Sequence, residues 1–175
     1  MYHKPVGEIC TRRDPGGRPT VFQSLPRLKG CRWVTVGRLD VQTTGLLLLT
    51  TDGELANQLM HPSSELEREY SVRALGQLGD KQLSRLKSGL TLEDGLARFT
   101  ELEVGAERGA NRSYRVTVCE GRNRIVRRLF EAVGCKVNRL MRVRYGGVEL
   151  PRDLRPGQYR DLSDSQLSQL RAACS

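Results

Sequence analysis

Residues 37–62 read GRLDVQTTGLLLLTTDGELANQLMHP, and the fold follows from this stretch. It gives a loop, a buried strand and a helix in immediate succession. Arg38, Leu39 and Asp40 fall in a loop bounded by Gly37 and Gly45, where the backbone is least restricted. Leu46, Leu47, Leu48 and Leu49 form an unbroken apolar run, the pattern of a strand covered on both faces. Asp52, Gly53 and Glu54 carry N-cap character for a helix presenting Leu55, Ala56, Leu59 and Met60, and Pro62 stops it. Asp40 is thus a carboxylate on a glycine-bounded loop anchored by a rigid strand. On its own such an Asp reads as an Asx-turn or capping residue.

A chain of 175 residues supports one domain with a real core, or two small subdomains sharing a cleft. No apolar run reaches transmembrane length, and the N-terminus lacks a signal-peptide pattern. The cysteines (Cys10, Cys31, Cys119, Cys135 and Cys174) are odd in number and scattered, without a CxxC pair, and His3 lies far from His61. That argues against a zinc site or a disulfide framework and for reduced thiols in a cytoplasmic protein.

Charge is concentrated. Residues 108–144 hold 11 Lys/Arg against Glu120 and Glu131, while the rest of the chain is balanced at 18 of each sign. The net charge of +9 therefore comes from one stretch. A solvated basic face or a polyanion footprint would both look like this, and nucleic acid is the commonest polyanion. Arg outnumbers Lys 24 to 5, which favours bidentate phosphate contacts and base stacking.

The remaining pattern alternates strands and helices. Residues 1–4 end a strand at Pro5 and Gly7; residues 8–29 are rich in Arg, Gly and Pro, with a short helical stretch at 20–25. Strands are expected at 33–36, 66–74, 114–118 and 137–143, a hairpin at 90–107 about Asp94-Gly95, and helices at 79–87 and 163–173. In EGRNRIVRRLFEAVGCKV, residues 120–137, Asn123 is placed to cap a helix with the apolar stripe Val126, Leu129, Phe130 and Val133. Arg124 and Arg128 lie one turn apart on its flank, and Arg127 can meet Glu131.

Four segments together carry a family resemblance. GRLDxxTxGLLLLTxDG resembles the catalytic signature of the pseudouridine synthases, in the ribosomal RsuA/RluB branch. Lys4-Pro5-x-Gly7 is similar to that family's first motif, residues 120–137 to its third, and LRPGQYRDL at 154–162 to its ending. The resemblance implies that Asp40 is the catalytic carboxylate and that Tyr70 stacks on the target base. It also implies that Val126 and Arg127 face the Asp, with Arg127 paired to it, and that Arg38 fills the gap left by a flipped base. Ile125 stands where many relatives have Gln. Lys4, Arg122, Arg124, Arg128, Arg139 and Arg142 are candidate RNA contacts.

The implied fold is α+β, a bent and largely antiparallel mixed sheet flanked by helices. Its cleft is expected between subdomains at about 1–65 and 66–175. The implied reaction is isomerisation of a uridine to pseudouridine in large-subunit ribosomal RNA. The protein is expected to act as a monomer in the cytoplasm, without cofactor, metal or membrane. Relatives carry an S4 RNA-binding domain upstream; this chain begins almost at the first motif, so that domain is expected to be absent. Two other classes compete. A binding-only ribosome assembly factor would explain the basic stretch but has no use for a loop Asp facing an Arg. An Asp-dependent glycosidase or nuclease would call for further carboxylates, where the motifs offer arginine.

Overall fold

The structure, a computed structural model, describes residues 1–173. The chain enters as β1 (Tyr2–Lys4), all of it buried. A long loop follows, with one 3-10 turn (Val21–Ser24), and then β2 (Val34–Val36) leads through the Asp40 loop into β3 (Thr44–Thr50). Helix α1 (Gly53–Met60) starts as its sequence dictates: the Asp52 carboxylate accepts from the backbone N–H of Glu54 and of Leu55, each at 3.0 Å. Next come β4 (Arg68–Leu75), α2 (Asp80–Ser88), β5 (Leu90–Leu92), β6 (Gly95–Ala97), β7 (Glu101–Arg108) and β8 (Asn111–Val118). Helix α3 (Ile125–Ala132), β9 (Lys136–Tyr145), β10 (Val148–Glu149) and α4 (Asp164–Ala172) complete the chain.

One sheet runs in the order β1-β3-β9-β4-β8-β7, with β2 on β3 and β10 on β9. Among the described residues, the one parallel pairing of its strands is β3 with β9, through Thr44↔Met141 and Gly45↔Arg142. The fold is therefore α+β with a mixed, largely antiparallel sheet. At that junction the two backbones nearly touch. A Cβ built on Gly45, whose φ is +109°, would lie 2.2 Å from the Arg142 carbonyl oxygen. Only glycine fits there.

Strand β3 is covered on both faces, because Leu47 belongs to one apolar cluster and Leu46 and Leu48 to another. In the first cluster α3 buries Ile125, Val126, Leu129 and Phe130, with the Phe130 ring 5.7 Å from Phe99 and 5.3 Å from Tyr114. The second packs Leu55 and Leu59 of α1 against Tyr145, Val148, Leu154 and Leu170. Residues from both sides of position 65 contribute to each.

Three local expectations are corrected. The hairpin about Asp94-Gly95 is only β5 and β6, a separate two-stranded sheet. Buried Phe99 then draws the chain away, its N–H bonded to the Leu86 carbonyl, and β7 pairs with β8 instead. Asn123 does not cap α3: Arg124 occupies that position in left-handed backbone, φ +51°, with no side-chain cap. Glu131 meets Arg124 at 3.6 Å rather than Arg127. Cys10, Cys31, Cys119 and Cys135 are free thiols, and Cys174 lies outside the described residues. Among the described residues no helix is long and apolar enough to cross a membrane.

Candidate active site

The pocket floor is one face of the β4–β9 ladder. The buried residues of β4 alternate as Arg68, Tyr70, Val72 and Ala74, and across the ladder they meet Tyr145, Arg142, Leu140 and Val137. A register shift between Glu69 and Tyr70 sets Tyr70 opposite Arg142, which leaves Val143 as an extra residue in β9. Such bulges re-aim side chains beside functional sites. One wall is the loop carrying Gly37, Arg38, Leu39, Asp40 and Thr43. The facing wall is residues 120–126, and together they enclose about 550 Å³.

Asp40, Tyr70 and Val126 line this space, as do Arg38, Arg122, Arg124 and Arg142. Asp40 is half-buried, and no described residue donates a hydrogen bond to its carboxylate. Its backbone is instead held hard: the carbonyl accepts from Thr43 N–H at 2.9 Å and from Lys4 Nζ at 3.1 Å. The loop is fixed while the carboxylate stays available. Tyr70 is largely buried, and no described residue hydrogen-bonds its hydroxyl.

Lys4 is not a surface contact. The side chain is fully buried, and Nζ donates to the carbonyls of Pro5, Asp40 and Thr43 at 2.9, 3.1 and 2.9 Å. Three donors meet three acceptors, which leaves none for RNA. Burial lowers its pKa, against the pull of Cys10, Glu8 and Asp40. Lys4→Met should destabilise the protein by about 1–3 kcal/mol, the usual cost of leaving buried carbonyls unpaired. Denaturant midpoints test this; a stable Lys4→Met protein with weakened nucleic-acid binding would return Lys4 to the surface role.

Arg127 is also buried, but it does not pair with Asp40. Its Nη2 donates to the Gln42 carbonyl and its Nη1 to the Val137 carbonyl, each at 3.0 Å. No ion pair within 4.0 Å joins it to Asp40. The guanidinium thus ties the turn after Asp40 to the start of β9. Burial and neighbouring Arg124 lower its pKa, while the charges of Asp40 and Glu131 oppose them.

The expected basic footprint is largely absorbed within the fold. Arg112, Arg115, Arg124 and Arg144 pair with Glu107, Glu69, Glu131 and both Glu67 and Glu69. Arg122 and Arg128 both hold Asp94, which the Arg128 guanidinium keeps at a pKa of about 2. Arg142 is buried, so of the residues expected to touch RNA in this stretch Arg139 alone is exposed and without an acid partner. Arg108 and Lys136 are also exposed without an acid partner among the described residues, but a denser cluster of free charge lies elsewhere. Residues 12–38 carry seven Lys/Arg and one acid, Asp14, which Arg18 takes at 2.8 Å. Arg13, Arg27, Lys29, Arg32 and Arg38 are exposed and unpaired. The acid-poor run is visible in the sequence itself.

A carboxylate with no described hydrogen-bond donor thus shares one pocket with a tyrosine, an aliphatic residue and arginines. The model of the family described as RNA pseudouridylate synthase matches residues 1–132, and the chain belongs to that family. It is 58% identical over 170 residues to the ribosomal large subunit pseudouridine synthase B of Escherichia coli (strain K12), covering 97% of this chain and 58% of that protein. It is 57% identical to the protein of the same name from Haemophilus influenzae, covering 98% of this chain and 48% of that one. The chain thus spans about half of the length of these relatives. A solved structure described as a pseudouridylate synthase superposes with a TM-score of 0.84 at 31% identity, covering 97% of this chain and 71% of that one.

Proposed function

We propose that the protein isomerises a uridine of large-subunit ribosomal RNA to pseudouridine, with Asp40 as the acting carboxylate. The observation that carries the reading is the Asp40 carboxylate itself, unpartnered on a clamped loop and sharing one pocket with Tyr70 and Val126. Likeness to the large-subunit synthases supports the substrate class. The reaction is redox-neutral. The N1–C1′ bond breaks, Asp40 acts on the ribose, and the base turns so that C5 bonds to C1′ while its proton leaves. The target nucleotide must leave its stack, which costs a few kcal/mol. Arg38, exposed at the rim, is placed to fill the gap. Arg127 acts as a positioning residue through the Gln42 carbonyl. We take the protein to work as a cytoplasmic monomer. Mapping pseudouridine in large-subunit ribosomal RNA from cells with and without the protein tests the reading: loss of a modified position supports it, and an unchanged map refutes it.

Tyr70→Phe keeps the ring and removes only the unpartnered hydroxyl. RNA affinity should hold, while rapid-quench sampling should show glycosidic cleavage outrunning pseudouridine formation. Equal rates for both steps would take the hydroxyl out of C5 deprotonation.

The redistribution of free charge predicts where salt acts. Replacing Arg27 and Arg32 together by Gln should flatten the slope of log affinity against log salt by roughly 1.4, at about 0.7 per phosphate contact on single strands. Replacing Arg115 and Arg144, both held by Glu69, should leave the slope alone. The reverse pattern in a salt titration would place the footprint on β8 and β9.

A further inference from the structure

Arg142 is a buried cation without a counter-charge. Its side chain is 2% exposed, and no acid among the described residues lies within ion-pair distance. Nε donates to the Leu46 carbonyl at 2.8 Å, and the guanidinium lies 5.0 Å from the Tyr145 ring centre. Nη2 is buried with no hydrogen-bond partner, and no described residue accepts from Nη1. One carbonyl and one ring face are poor compensation for a desolvated charge. Yet its backbone is pinned on both sides, by Gly45 and by Tyr70, so the fold holds this cation at one point of the pocket floor. An arrangement of that kind is completed by an oxygen-bearing ligand.

Which oxygen follows from the ladder. Arg142 and Tyr70 stand directly opposite, a position that brings Cβ atoms to about 4.5–5.5 Å. A base stacked on Tyr70 therefore puts its edge against the guanidinium, while the phosphates stay at the rim with exposed Arg38. We propose that Arg142 binds the carbonyl edge of the target uracil, taking O2 while the base is N-linked and O4 once it has turned.

This inference rests on the pocket being a uridine isomerase site and adds the ligand of its floor. Uracil turned by half a revolution about its N3–C6 line exchanges N1 with C5 and O2 with O4. One fixed cation can thus hold the base in both orientations. When the N1–C1′ bond breaks, its electron pair leaves with the base and spreads over N1, O2 and O4. Asp40 answers the electron-poor C1′, by bonding to it or by taking the C2′ proton. C5 then bonds to C1′ while the Asp40–C1′ bond breaks or the C2′ proton is returned, the C5 proton departs and N1 takes one up, so atoms and charge balance. Arg142 stabilises the anionic base between these steps, as preorganised donors stabilise developing charge.

The test uses a synthetic RNA fragment spanning the mapped uridine, with uridine, 2-thiouridine or 4-thiouridine at that position, since sulfur accepts hydrogen bonds poorly. With the parent protein, 2-thiouridine should slow glycosidic cleavage by about tenfold, the scale of one hydrogen bond, and 4-thiouridine should slow only C–C bond formation. Arg142→Met should cost roughly 10²–10³ in rate on uridine and show no further response to either sulfur. Arg142→Lys should fall between, and is read the same way if the Met variant fails to fold. A variant that is slow yet keeps the parent's sulfur response overturns the proposal, as does a salt slope flattened by about 0.7 in Arg142→Met, which would mark a phosphate contact. A parent inert on uridine overturns the functional reading itself.

Discussion

Asp40→Asn should lower pseudouridine formation by roughly 10⁴-fold or more, the scale on which removal of an acting carboxylate or nucleophile is felt. Melting temperature and RNA affinity should stay close to the parent's. The two halves of the expectation have separate physical sources. The side-chain carboxylate takes no hydrogen bond from a described residue, so exchanging one oxygen for an amide breaks nothing in the fold. What positions the loop is the Asp40 carbonyl, held by Lys4 and Thr43, and the substitution leaves it untouched. Activity and fold can be separated cleanly here because the main chain bears the structural work. Rates under single-turnover conditions, with melting curves alongside, decide it. A variant within a few fold of the parent would remove Asp40 from the chemistry, and an unstable variant would mean that the carboxylate supports the loop after all.

Gly45→Ala should be the most damaging of the single-methyl changes. The added Cβ would meet the Arg142 carbonyl oxygen at 2.2 Å and its nitrogen at 2.7 Å, at a φ of +109° that L side chains rarely adopt. Backbone cannot swing aside as a side chain can, so the parallel β3–β9 contact must open. Strain at such a φ costs about 1–3 kcal/mol, and overpacking adds about 1–3 kcal/mol more. That approaches the whole stability of many domains. Urea denaturation should show either a collapse of the midpoint or insoluble protein. A midpoint within 1 M of the parent's would mean, at ordinary slopes of about 1–3 kcal/mol per M, that the β3–β9 junction yields easily. The Asp40 loop would then lack the rigid anchor ascribed to it.

Much of this was legible along the chain because local rules governed it. Asp52 at a cap, four leucines in a doubly covered strand and the stripe on α3 all formed as their spacing requires. Misreadings arose where partners are remote in sequence. Counting charge within residues 108–144 could not reveal that Glu67 and Glu69, on and beside β4, would absorb Arg115 and Arg144. There burial pushes the Glu69 carboxyl up, and the two guanidinia outweigh it and hold it below its ordinary pKa. Lys4, expected among the RNA contacts, is instead a clamp, because its neighbour Pro5 and the distant Thr43 supply carbonyls. Arg142, a candidate RNA contact, is buried on the pocket floor, where the bulge at Val143 sets it opposite Tyr70. Arg127 was assigned directly to Asp40, yet its planar fork suits two carbonyls, and Gln42 and Val137 offer them.

On the proposed function, this pocket exchanges an N–C for a C–C bond through Asp40. Large-subunit ribosomal RNA transcribed with tritium at uridine C5 reports that exchange directly, because C5 loses its hydrogen only when it bonds to C1′. Tritium release, levelling off at a fixed small number of sites per RNA, is expected with the parent protein and none above background with Asp40→Asn. Release that is equal for the two proteins, or absent from both, would contradict it.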